Sequence, residues 1–204
     1  LDKMLKSVSL TDWKNYLKAN TLTSFASLLS SPFVDAEFTF NKVLSGQAVK
    51  KPRAEELTSA VDASLGHALA QLYVKKYFPE DAKKRMRVLV DNLKRAFEMR
   101  INNLDWMSDS TKTRAKEKLA AFTEKIGYPD TWRDYSNVVV KRDKYFENCL
   151  SANQNEYAYN VAKIGQPIDR TEWYTTPPTV TAYNNPQMNE IVFPAGILQP
   201  PYFD

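Results

Sequence analysis

The sequence predicts a mainly α protein that ends in a β-hairpin. Two observations carry this expectation. Glycine is scarce, at 5 of 204 residues, while apolar residues recur at three- and four-residue steps over long stretches. Seven of the 11 prolines fall between Gly165 and Asp204, which excludes helix from most of that tail. The chain therefore reads as a helical region over 1–165 and a proline-rich hairpin and extended segment over 166–204.

The elements follow in order. Ser9-Leu10-Thr11-Asp12 has the chemistry of a helix cap, and Trp13, Leu17, Leu22, Phe25 and Leu29 then mark a helical stripe. Ser31-Pro32 predicts a second start, with proline in the first turn and Gly46 as the stop. Pro52 opens the next helix, where Leu57, Val61, Leu65, Leu69, Leu72 and Tyr73 predict one buried face. Phe78-Pro79-Glu80-Asp81 interrupts it. Met86, Leu89, Val90, Leu93, Phe97, Ile101 and Leu104 mark the clearest helix of all.

Ser108-Asp109-Ser110 predicts another cap. Ala115, Leu119, Phe122 and Ile126 then point inward, and Gly127 is the expected stop. Residues 128–142 are irregular, and a further helix is expected over about 143–164. In the tail, Thr179–Tyr183 and Glu190–Phe193 are the two predicted strands, with Asn184–Asn189 as the turn.

Composition narrows the function classes. Apolar residues make up 43% and charged residues 25%, a globular profile. No stretch approaches the ~20 apolar residues of a membrane-spanning helix. The net charge of +4 is mild and interleaved in sign, which argues against a nucleic-acid partner. The single cysteine, Cys149, precludes an internal disulfide framework. The single histidine, His67, cannot build a zinc site of two or three imidazoles. On the local pattern, His67 reads as a helix histidine bonded to a neighbour, and Cys149 as a small buried residue. No glycine loop, nucleophile elbow or acid/base pair of carboxylates stands out.

The terminal hairpin is the unusual feature. An isolated two-stranded unit is marginal in water, so it should need partner strands that the rest of the chain hardly supplies. An open strand edge can also hold an extended peptide through main-chain hydrogen bonds. One reading of the chain is thus a non-enzymatic helical interaction module that pairs through this edge.

The other reading comes from particular residues. The run Asn189-Glu190-Ile191-Val192-Phe193-Pro194-Ala195-Gly196-Ile197-Leu198-Gln199-Pro200-Pro201-Tyr202-Phe203 resembles a segment of the neprilysin-like zinc metallopeptidases. Leu104–Met107, Lys125–Asp130 and Gly66–Val74 are similar to further blocks of the same family, in the same order. The resemblance runs from about Phe38 to Asp204 and more loosely over the start.

This resemblance implies part of a zinc endopeptidase acting on oligopeptides, with a helical lobe over a thermolysin-like catalytic lobe to which the hairpin would belong. It implies that the zinc-binding H-E-x-x-H motif lies outside this chain, as do the catalytic and metal residues, so that the chain alone is inactive. The remaining catalytic part of the same protein would then be its partner. It also implies an extracytoplasmic setting, and the single cysteine fits a bacterial member better than the cysteine-rich animal ones.

Candidate substrate-binding residues follow from the same likeness. Thr181-Ala182 stands where the family carries Asn-Ala, the pair that holds the substrate backbone. Ala182 can act through its carbonyl, whereas Thr181 has a shorter side chain and a single donor. Asn184 replaces a more usual aromatic. Tyr183 matches a residue lining the unprimed side, and Ile197 and Tyr202 match residues bordering the pocket for the residue after the cut.

Overall fold

The structure, a computed structural model, describes residues 2–204. It is mainly α, with one small sheet near the C-terminal end. The described residues form seven α-helices, α1 Asp2–Ser7, α2 Leu10–Phe25, α3 Ser31–Ser45, α4 Arg53–Tyr77, α5 Glu80–Asn102, α6 Asp109–Ala120 and α7 Tyr145–Ala162, and a 3-10 turn at Ala26–Leu28. Three strands, β1 Thr123–Gly127, β2 Tyr183–Asn185 and β3 Glu190–Pro194, complete it. The chain forms two compact units, one of residues 2–58 and 137–158, the other of residues 59–136 and 159–204.

In the first unit, the caps act as the local chemistry predicts. Ser9 Oγ accepts the amide of Asp12 at 3.1 Å and starts α2. Ser30, one residue earlier than expected, holds the first position before α3 without a side-chain capping bond, and Gly46 closes the helix in the left-handed region at φ 72°. Phe25 meets the edge of Phe146 at 5.5 Å. Asn148 fastens the chain before α7 by bonding both the amide and the carbonyl of Lys141. The helical stripe along α2 is open: none of the helix's residues is buried, and Leu17 and Leu22 are exposed. Phe40, Val43 and Leu44 on α3 are exposed too. Periodicity set these apolar faces, and nothing within the unit covers them.

The second unit holds a compact core. Phe78, Met86, Val90, Ile126, Ala195 and Leu198 are buried together, with Phe193, Ile197 and Tyr128 packed around them. Helix α4 departs from helical geometry at Leu65, and its buried positions are Gly66 and Ala70 rather than the leucine stripe. Gly66 allows a close approach: a Cβ there would lie 2.3 Å from Thr176 Cγ2. The hydroxyl of Thr176 in turn donates to Asp62 at 3.0 Å, tying the proline-rich segment to α4.

Two expectations about the sheet are corrected. The apolar steps through Phe122 and Ile126 do not continue α6. The helix ends at Ala120, and Thr123–Gly127 forms β1, parallel to β3 with Thr123 beside Glu190 and Ile126 beside Phe193. A short segment with apolar residues four apart fits a helix face locally, and pairing with β3 overrides that preference. The hairpin therefore does not lack a partner strand, because the order is β1-β3-β2 and β3 is central.

The first hairpin strand is also displaced. It runs over Tyr183–Asn185, and Thr179–Ala182 precedes it. The turn follows from side-chain chemistry: Asn185 Oδ1 accepts the amides of Gln187 and Met188, and Asn189 adopts φ 52°. Asn184 Nδ2 donates to the Glu190 carbonyl at 2.9 Å, spanning the same turn.

Candidate functional site

The sheet edge at β2 and the chain on either side of it form the candidate site. The two faces of the sheet differ. Ile126 and Phe193 share one face and join the core. Lys125, Val192 and Tyr183 form a row across the three strands on the other face, with Glu190 two residues from Val192 on the same side.

That second face is polar and buried. Glu190 is 0% exposed, yet it lies inside an otherwise apolar strand. Lys125 Nζ approaches Glu190 Oε2 at 2.7 Å and donates to the Glu172 carbonyl at 2.7 Å. Such a pair avoids the penalty of a lone buried charge. The Glu172 carboxylate bonds Lys163. Sequence reading did not single out Lys125 or Glu172. The one available signal was a glutamate heading a β-rich run.

The residues nominated from the sequence fall as follows. Thr181 is half-buried, and its amide donates to the Thr179 carbonyl at 3.1 Å in a tight turn. Ala182 is exposed and leads directly into β2. Pairing with β3 begins at Tyr183, opposite Val192. The outer edge of β2 pairs with no other strand among the described residues. Tyr183 is half-buried with its hydroxyl inward, and burial raises its pKa while the neighbouring Thr175 hydroxyl pulls the other way. Ile197 packs against the core cluster, and Tyr202 is 70% exposed. Thr181, Ala182 and Tyr183 are consecutive, but only Tyr183 belongs to β2, with Thr181 and Ala182 in the chain that enters it. Ile197 and Tyr202 lie on the loop after β3, which is fixed by the Gly196 amide donating to the Pro177 carbonyl at 2.8 Å.

Among the described residues, no three His, Cys, Asp or Glu side chains are placed to hold an ion. His67 lies edge-on to Trp132 at 6.3 Å, and Cys149 is buried on α7. The residues present therefore do not fit a zinc site. The arrangement can hold an extended chain by its edge.

Beside the sheet is a large apolar groove. Phe97, Leu104, Trp106, Phe122, Ile191 and Phe193 line much of a cavity of about 890 Å³. Phe97 is 57% exposed and Trp106 73%, so the groove is open. No helix among the described residues is long and apolar enough to cross a membrane.

Comparison with known proteins points to one family. The sequence profile of peptidase family M13 matches residues 1–129. An endothelin-converting enzyme homolog of Locusta migratoria is 36% identical over 198 residues, covering 93% of this chain and 27% of that protein. Membrane metallo-endopeptidase-like 1 of Mus musculus is 32% identical, covering all of this chain and 28% of its own length. Among solved structures, the open state of the Mycobacterium tuberculosis zinc metalloprotease Zmp1 matches with a TM-score of 0.90 and 42% identity. That match covers 99% of this chain and 31% of Zmp1. PepO from Lactobacillus rhamnosis matches with a TM-score of 0.85 and 28% identity over 96% of this chain and 31% of its own. The chain spans less than a third of each relative.

Proposed function

Since this chain belongs to peptidase family M13, we propose that it supplies the helical wall and the substrate-holding edge of a zinc-dependent endopeptidase that cuts oligopeptides. The single observation that carries this reading is the outer edge of β2, which pairs with no other strand among the described residues, with Thr181 and Ala182 immediately before it.

In this reading the edge pairs with an extended peptide. The Ala182 carbonyl accepts a substrate amide, a contact independent of side chain. The Thr181 hydroxyl holds the substrate backbone with a single donor. The exposed part of the Tyr183 ring borders the unprimed side, and Ile197 and Tyr202 border the pocket for the residue after the cut. These groups position the peptide rather than transform it, which is itself a large share of catalysis.

Zinc and the catalytic residues come from polypeptide outside this chain, where the metal would activate water for attack on the scissile carbonyl. The remaining catalytic part of the same protein is the natural cover for the groove beneath Phe97 and Trp106, since an open apolar patch of this size marks an interface. The helical region 1–165 would limit access, and residues 166–204 would lead into the zinc-binding part. A bacterial, extracytoplasmic setting follows from the family likeness together with the single cysteine.

The test is kinetic. In the whole protein, Ile197→Ala should raise KM for a quenched-fluorescent oligopeptide and shift preference for the residue after the cut. Unchanged KM and unchanged preference would overturn the assignment of the pocket. Zinc analysis of residues 1–204 should find no stoichiometric metal, and one tightly held zinc per chain would overturn the division of labour.

A further inference from the structure

Two buried polar side chains, Lys125 and Glu190, and two half-buried ones, Tyr183 and Thr175, meet at the Val192 face of the sheet. Val192 is flanked by Lys125 on β1 and by Tyr183 on β2. Glu190 is diagonal to both, a separation that lysine and tyrosine side chains can bridge. Lys125 engages one carboxylate oxygen of Glu190, Oε2, at 2.7 Å. The other atoms there are left over: Glu190 Oε1, the Tyr183 hydroxyl and the Thr175 hydroxyl are all buried without a well-formed hydrogen bond. A bare buried acceptor is costly. Polar atoms in this position are where proteins hold internal water, which makes two to four such bonds. A bound cation has no charge left to balance, because the Lys125 ammonium already neutralises the carboxylate.

We propose that a buried water molecule joins the Tyr183 hydroxyl to Glu190 Oε1, and that Glu190 is thereby a positioning residue for β2. The tyrosine hydroxyl donates to the water, and the water donates to Glu190 Oε1 and to Thr175 Oγ1. The link runs from Glu172 through Lys125 and Glu190 to Tyr183, crossing all three strands. It matters because β2 has only three residues, and short strands hold their place weakly by backbone pairing alone. Thr181 and Ala182 lie immediately before Tyr183, so the water link sets where their backbone stands. That last consequence rests on the peptide-edge reading above, whereas the water link does not.

The experiment uses the whole protein. A crystal structure that resolves ordered solvent should show one water within about 3.2 Å of both Tyr183 Oη and Glu190 Oε1. A dry gap, or a hydroxyl bonded elsewhere, overturns the link. Hydrogen exchange supplies a second readout. Tyr183→Phe should speed amide exchange over Tyr183–Asn185 on the order of tenfold, the effect of one lost hydrogen bond. Thr175→Val combined with it should add little, since both remove partners of the same water and leave the Lys125–Glu190 pair intact. Unchanged exchange, or fully additive effects, overturns the proposal. If either variant does not fold, the unmodified crystal structure still decides. Faster exchange with unchanged KM for peptide sustains the water link and sinks the peptide-edge reading. Unchanged exchange sinks the water link whatever KM does.

Discussion

Lys125 Nζ stands 2.7 Å from Glu190 Oε2, and both side chains are almost wholly buried, one on β1 and the other on β3. A charge pair in the interior of a small sheet joins two strands far apart in sequence. It also determines what substitutions there do.

Lys125→Met removes one partner and leaves Glu190 charged and buried. Denaturant unfolding of this variant should show a loss of about 3–5 kcal/mol. The double variant Lys125→Met/Glu190→Leu should recover much of that loss, because no uncompensated charge remains. A double variant as unstable as the single one would show that the pair itself, rather than the orphaned charge, dominates.

Gly66→Ala places a methyl group 2.3 Å from Thr176 Cγ2. The expected cost is about 1–3 kcal/mol for an overpacked contact. The segment around Thr176, released from Asp62, should become more sensitive to limited proteolysis. Wild-type resistance at that segment would contradict the close packing described.

Burial raises the pKa of the Tyr183 phenol above its ordinary value of 10.0. The unfolded chain then loses its proton first as pH rises. The stabilisation is fully present below about pH 10 and is lost as pH climbs through the higher folded value. Thermal melts from pH 8 to 11.5 should show a shallower alkaline decline for Tyr183→Phe than for the wild type. Parallel declines would mean that the hydroxyl is not buried.

Thr181→Asn tests the proposed substrate edge by adding a second side-chain donor. In the whole protein it should lower KM for oligopeptides by roughly 2–10-fold, the range of one added hydrogen bond. Identical kinetics would remove position 181 from the substrate edge.

Much of the fold was legible because the forces that set it are local. Ser9, Ser108 and Gly46 cap helices through bonds within a few residues of themselves. The turn at Pro186–Asn189 depends on Asn185, whose side chain reaches only two and three residues ahead. Burial was less legible. Leu17 and Leu22 have helical spacing, but spacing does not say whether anything covers the stripe. In the candidate site, the order Thr181-Ala182-Tyr183 could be nominated from family likeness. The inward turn of the Tyr183 hydroxyl could not.

The amino-acid order by itself determined most of the helices, the caps at Ser9 and Ser108, the chemistry of the hairpin turn and the family to which the chain belongs. Tertiary structure alone decided that Thr123–Gly127 is a strand, that Lys125 meets Glu190, and that β2 keeps an open edge. The reason is physical. Propensity and capping act along the chain, whereas strand pairing and buried charge depend on which distant segment arrives alongside.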